Sequence, residues 1–218
     1  AFGLSAIVLP DISGSLDGPI PDQFSPTTNG GTTVDEARSM GSSIATLAIG
    51  QHMEKAALEL EMRTGVPYTV FDRLTGLEAN DRFLSHLGKL SGKPVPYKYR
   101  RQRSQLVDAM LDGHFFFGGQ KIAIGAEPDL MWALGSLLSE MGCEIAAAVT
   151  TTQSPLLEKM PCDEVLIGDL EDLELRAKGC DLLLTHSHGR QAAERLGIPL
   201  FRAGLPCFDR LGANHKLS

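Results

Sequence analysis

Two histidines one residue apart, His186 and His188, sit in the run Thr185-His186-Ser187-His188-Gly189-Arg190. An H-x-H pair is a familiar half of a zinc site. On a continuing strand both imidazoles would share one face; in a turn their geometry is open. No third ligand is close in sequence, although Asp209 and His215 could arrive in space. The competing reading is a polar strand-to-helix turn in which Ser187 or His186 caps the next helix. That reading is the one adopted, and no residue is assigned as a metal ligand. Asp209 and Arg210 read as a local ion pair that fixes the terminal loop. No nucleophile stands beside a base in the manner acyl transfer needs, so no catalytic residue is assigned.

A second loop that could do chemistry is Gly125-Ala126-Glu127-Pro128-Asp129. It follows a short apolar run and opens a helix, where a dinucleotide-binding fold would carry G-x-G-x-x-G. The second and third glycines are missing. Two carboxylates stand where phosphate would go, and they would already meet the positive end of the helix dipole. The loop therefore reads as Rossmann-like in shape but not as a dinucleotide site. The cysteines are Cys143, Cys162, Cys180 and Cys207, widely and irregularly spaced with no C-x-x-C pair. They suggest neither a disulfide framework nor a metal knuckle, and unpaired thiols fit the reducing cytoplasm.

The elements that must position these residues follow from periodicity. Lys121–Gly125 and Glu144–Val149 are apolar runs. Between them Leu130, Leu134, Leu137, Leu138 and Met141 recur at helical spacing. Pro128 suits the first helical turn and Gly142 the stop. This is a βαβ unit with parallel strands. Joints of the form helix, glycine, strand recur in RTGVPYTV, AKGCDLLLT and RLGIPLFR. The predicted architecture is α/β, with two Rossmann-like, doubly wound, mainly parallel domains: residues 1–96, a linking helix 97–118, and 119–218. The first domain is incomplete at its start, because Ala1-Phe2-Gly3 looks like the end of a helix from a longer protein. Ser5–Leu9 is expected as a buried strand, the Pro10–Thr32 stretch as an irregular loop, and Thr33 with Glu36 as a capping box. Tyr97–Phe117 reads as a long helix whose start carries Lys98, Arg100, Arg101 and Arg103. Trp132, the sole tryptophan, falls opposite the apolar stripe beside Gly135, Ser136 and Ser139. Aromatics are enriched in interface cores, so Trp132 is expected to meet another element or a partner subunit.

Composition bounds the function. The 218 residues are 43% hydrophobic and 22% charged, with a net charge of −7. An acidic chain is a poor candidate for nucleic acid or an anionic membrane. No apolar run approaches the ~20 residues of a membrane span.

The terminal stretch IPLFRAGLPCFDRLGANHK resembles the C-terminal signature of nitrogenase-like β-type subunits, in which Gly-x-Pro-x-Phe-Asp-Arg follows a strand. Asn29–Glu36 (NGGTTVDE), Leu74–Pro96 and Arg103–Asp129 agree in order and spacing. Within that family, FDRLGANHK is more similar to the cofactor-assembly scaffolds than to the catalytic β subunit, which more often has a histidine-rich run there. The resemblance implies a scaffold in the biosynthesis of the nitrogenase iron–molybdenum cofactor. It implies an α2β2 complex with a NifE-type α subunit and a second, homologous β subunit, served by the nitrogenase iron protein. Such a complex carries a 4Fe–4S cluster and an iron–molybdenum cofactor precursor. Their ligands belong to a first domain and to the α side, so no cofactor is expected in this chain. The same fold would also serve a β subunit of a catalytic nitrogenase or related reductase. Without the resemblance, a glycosyltransferase-like enzyme with a sugar nucleotide between its halves would fit, and Glu127 and Asp129 speak against it.

Overall fold

The computed structural model describes residues 1–11, 22–24 and 31–209. The chain divides into two units: Ala1–Phe71 with Gly88–Pro94, and Asp72–Leu87 with Val95–Ser218.

In the first unit, Thr33 starts a helix by reciprocal capping. Its Oγ1 accepts from the Glu36 N–H at 3.2 Å, and the Glu36 carboxylate accepts from the Thr33 N–H at 2.8 Å. Helix α1 (Val34–Arg38) results. Strand β1 (Thr46–Ile49) pairs in parallel with β2 (Tyr68–Phe71). Helix α2 (Glu54–Thr64) joins them and stops at Gly65, which takes φ +75° so that its N–H can reach the Glu61 carbonyl. Ala48, Ala57, Val66 and Phe71 form the core of this unit. Ser5–Leu9 is not the strand that its composition predicts: it has no regular structure, and Val8 and Leu9 are about half exposed. A strand needs a ladder partner, and no described strand pairs with this segment. Most of the expected Pro10–Thr32 loop lies outside the described residues.

Two helices follow: α3 (Leu77–Ser91) and, after the pair of prolines, α4 (Tyr97–Phe117). No described residue of α4 is buried. Its basic start is solvated, with Arg103 paired to Asp81 through two nitrogens at 2.7 and 2.8 Å.

The second unit is built on five parallel strands: β3 (Lys121–Gly125), β4 (Glu144–Thr150), β5 (Leu166–Ile167), β6 (Leu182–Thr185) and β7 (Leu200–Arg202). Their spatial order is β5-β4-β3-β6-β7. Helices α5 (Pro128–Glu140), α6 (Leu170–Arg176) and α7 (Arg190–Leu196) cover both faces. On one face Ile122, Ile124, Ile145 and Leu184 pack with Met131 and Leu138 of α5. On the other, Ala123, Val149 and Leu183 pack with Leu173, Ala192 and Ala193. The fold is therefore doubly wound α/β, with the strand order of a mononucleotide-binding sheet.

Two details depart from simple periodicity. The register of β3 against β4 shifts between Ile122 and Ala123, leaving Ala146 without a partner on β3 and exposed. This bulge sends Ile145 to one face and Ala147 to the other although they are two apart. The buried side of α5 centres on Met131, which is 0% exposed, with Gly135 and Leu138, while Leu130 and Leu134 flank it half-buried. Close approach rotates the helix there, because a Cβ on Gly135 would lie 2.7 Å from Met160 Cε.

Candidate functional site

The sheet reverses its direction of growth between β3 and β6. A crevice opens there beyond the carboxyl ends of the strands, where open α/β sheets bind ligands. Its volume is about 180 Å³. The β3–α5 loop (Gly125, Ala126, Glu127), the ends of β4 and β6, Gly168–Leu170 and the segment Ala203–Leu205 form its walls. Gly125 sits at the floor. A Cβ there would lie 2.4 Å from Leu173 Cδ2 and 3.2 Å from Thr185 Oγ1. Leu130, Val149, Leu173 and Leu205 give the crevice an apolar lining. Its charged residues are Glu127 and Asp169, both acidic. The Asp169 carboxylate is engaged, accepting from the Glu171 and Asp172 N–H groups as the cap of α6.

Thr185 and His186 are among the residues that line the crevice. Thr185 is fully buried, and its Oγ1 has no hydrogen-bond partner among the described residues. The same holds for the buried Nδ1 of His186. Burial pushes the His186 imidazole below its ordinary pKa, and the neighbouring His188 adds to this, while Glu127 pulls the other way.

The two histidines do not converge. Their rings meet edge to face with centroids 5.4 Å apart, and His188 turns to Phe208 at 5.0 Å. No group of three or more His, Cys, Asp or Glu among the described residues is arranged to hold a metal ion. The turn Ser187–Gly189 is a short 3₁₀ segment, and neither His186 nor Ser187 caps α7, whose N-cap position is Gly189. Ser187 works instead on the terminal segment. Its N–H donates to the Pro206 carbonyl at 3.0 Å, its hydroxyl donates to Asp209 Oδ1, and its Oγ accepts from the Phe208 N–H at 3.2 Å.

Asp209 is bound by Arg202, at the end of β7. Arg202 Nε donates to Asp209 Oδ1 at 2.8 Å, and a second guanidinium nitrogen donates to Oδ2. Hydrogen bonding by Arg202, and then by Ser187, holds the Asp209 carboxyl well below the usual carboxylate range. Both side chains are largely buried, at 13% and 14% exposure. Arg202 is thus the partner of Asp209 among the described residues. Arg210 and His215 lie outside the described residues. The sequence held one signal for Arg202, a basic residue closing an apolar strand run.

Trp132 is half-buried. Its indole N–H donates to Asp72 Oδ2 at 3.0 Å, and the Arg73 guanidinium stands 4.8 Å from its ring centre. Burial alone would raise the Asp72 carboxyl; the hydrogen bonds from Arg82 and Trp132 outweigh it, and the pKa falls. The side chain fills a place in the second unit against the segment that opens at Asp72. The four cysteines are free thiols. Burial raises the pKa of Cys143, Cys162 and Cys180, which disfavours the thiolate that metals require.

The doubly wound sheet with its crevice at the switch point defines a Rossmann-like domain class. Sequence comparison then fixes the family. The family described as nitrogenase component 1 type oxidoreductase matches residues 1–218, and the chain belongs to it. A solved structure titled "Nitrogenase Cp1 at pH 6.5" superposes with a TM-score of 0.88 at 30% identity, over 98% of this chain and 50% of that one. The nitrogenase iron-molybdenum cofactor biosynthesis protein NifN of Bradyrhizobium diazoefficiens is 58% identical over 219 residues, covering 100% of this chain and 47% of the relative. The protein of the same name from Nostoc sp. is 51% identical over 215 residues, or 99% of this chain and 48% of the relative. The chain thus spans about half the length of the relatives it matches. No helix among the described residues is long and apolar enough to cross a membrane.

Proposed function

We propose that this chain is part of a NifN-type scaffold subunit that supports biosynthesis of the nitrogenase iron–molybdenum cofactor. It works in the cytoplasm, in an α2β2 complex with a NifE-type α subunit and a second β-type subunit, and receives the nitrogenase iron protein. The observation that carries this reading is the identity of 58% to a relative named for that biosynthesis, against 30% to the nitrogenase chain of known structure.

Exchange of the matched segment tests it. The 218 residues would replace the corresponding half of the Bradyrhizobium relative. The chimera should co-purify with the α-type partner and restore maturation of cofactor-deficient nitrogenase in extracts. A folded chimera that binds the partner yet supports no maturation would overturn the scaffold role. The alternative, a catalytic β subunit, predicts instead that the segment functions when placed in the nitrogenase β subunit.

We place the cluster ligands of such a complex outside this chain, on the wide spacing of the cysteines and the burial of Cys143 and Cys180. Anaerobic reconstitution with iron and sulfide should therefore leave the chain without charge-transfer absorbance. Stoichiometric uptake that disappears in Cys207→Ser would contradict this assignment.

A further inference from the structure

We propose that Asp72–Leu87 is a strap that Asp72 and Arg73 lock onto helix α5, and that α3 has a hinge at Gly88, where the strap ends. The first unit can then open while the body of α3 stays on the second. The chain passes from the first unit to the second after Phe71, returns after Leu87 and passes over again after Pro94. The second of these crossings falls inside α3, so a single helix is shared between the two units. Gly88 begins the part that belongs to the first unit, and it is the only glycine of the helix. Glycine weakens a helix interior, and hinges are often built on small residues at the ends of elements. The turn beyond Gly88 is held within its own unit. Ser91 Oγ donates to the Gly88 carbonyl at 3.2 Å, and Lys93 Nζ lies 2.8 Å from where a Cβ on Gly3 would sit.

At the other end of the strap, Asp72 and Arg73 each face both ways. Asp72 accepts from Arg82 of α3 on Oδ1, and from the indole N–H of Trp132 of α5 on Oδ2 at 3.0 Å. Arg73 stands 3.6 Å from the Glu78 carboxylate of α3 and 3.8 Å from the Glu140 carboxylate of α5. Its guanidinium lies 4.8 Å from the Trp132 ring centre. These pairs are longer than hydrogen bonds, and the buried Nε has no partner among the described residues. Charge and ring stacking are therefore what hold Arg73. The Asp72 and Arg73 side chains are 13% and 8% exposed, so salt screens them little. Removing one member of such a cluster leaves the others buried and unpaired, and the contacts to α3 and α5 hold or fail together. Between the clamp and α3 the strap also passes close to α5 at Gly76, where a Cβ would lie 3.2 Å from Glu140 Oε2.

Amide hydrogen exchange of the 218-residue chain in rising urea tests this, because it reads local opening residue by residue. At the urea concentration that exposes Thr46–Ile49 and Tyr68–Phe71, the amides of Phe83–Leu87 should stay protected. Those of Leu90 and Ser91 should exchange with the first unit, faster by about tenfold or more. Arg73→Met, which keeps the apolar stem and removes the charge, should abolish the step within α3. Phe83–Leu87 should then exchange with the first unit, and Trp132 emission should shift to the red, while Ile122–Ile124 keep their protection. If Ile122–Ile124 lose protection in Arg73→Met, the variant has not folded and Glu140→Gln decides instead, by faster exchange at Phe83–Leu87. Protection that runs evenly through Leu77–Ser91 in the parent chain would overturn the hinge. Unchanged exchange at Phe83–Leu87 in a folded Arg73→Met, or in Glu140→Gln where that variant decides, would overturn the clamp.

Discussion

Asp209 holds its segment through charge. Arg202 and Ser187 both donate to it, so the carboxylate, not the acid, is the form the fold stabilises. Its folded pKa lies below the value of about 3.9 expected in an unfolded chain. As pH falls, the unfolded chain takes up the proton first. The stabilisation is thus complete at neutral pH, shrinks once pH drops below the ordinary carboxylate range, and is lost as pH falls through the lower folded value. Asp209→Asn should therefore lower the urea midpoint at pH 7. The gap to the parent chain should close as pH is lowered from about 4 towards 2, where the parent carboxylate itself begins to protonate. Urea titrations at a series of pH values check this; a gap independent of pH would show that charge is not what Asp209 contributes. The sequence made Asp209 visible as part of a loop-fixing ion pair. It could not name Arg202, because a strand end and a loop seven residues on are joined only by the path of the chain. Thr185 is less legible still. A threonine at the end of LLLT looks like a strand residue, and only burial without a partner sets it apart.

At the scale of elements, the β3–α5–β4 unit is legible almost residue by residue, since apolar runs, Pro128 and Gly142 each fix one boundary. What periodicity misses lies in packing. Ser5–Leu9 has the composition of a strand but lacks a ladder; the bulge at Ala146 reverses the faces of β4; and Gly135 draws Met131, not Leu134, into the centre of the α5 contact. Gly125 shows the same principle at the crevice floor. It reads as the first glycine of a phosphate loop, yet the space its missing Cβ leaves is filled by Leu173 and Thr185. Gly125→Ala should overpack this joint and destabilise the second unit by about 1–3 kcal/mol, measured from urea unfolding at unchanged slope. In the parent chain, calorimetry with NAD or ATP should show no saturable heat, because Glu127 and Asp129 occupy the anion's place at the helix start. Micromolar nucleotide binding abolished by Gly125→Ala would reverse that reading of the loop.

Over the whole molecule, the order of the motifs carried the family, because Gly-x-Pro-x-Phe-Asp-Arg after a strand is specific where single glycine loops are not. The two units differ sharply in what holds each together. The first has a two-stranded sheet and a core of mostly small residues, among them Ala48, Ala57 and Val66. Two strands are marginal in water without further packing. The second has five strands with an apolar cluster on each face, including Ile122, Ile124, Met131, Leu173 and Leu183, all at most 2% exposed. Free energies of local opening follow such differences in buried apolar contact. The chain should unfold in two steps, with the first unit opening at the lower urea concentration. Its composition provides the means to see this. Trp132 is the sole tryptophan, and it belongs to the second unit. Far-ultraviolet circular dichroism reports helices in both units, whereas tryptophan emission reports the second alone. Part of the dichroism signal should be lost while emission stays at the wavelength of the folded chain; the rest should fall together with the red shift that follows loss of the Asp72 and Arg73 contacts. Hydrogen exchange should agree, with Thr46–Ile49 and Tyr68–Phe71 exchanging ahead of Ile122–Ile124 and Ala147–Val149. Coincident dichroism and emission curves, with equal protection in both sheets, would mean that the units unfold as one.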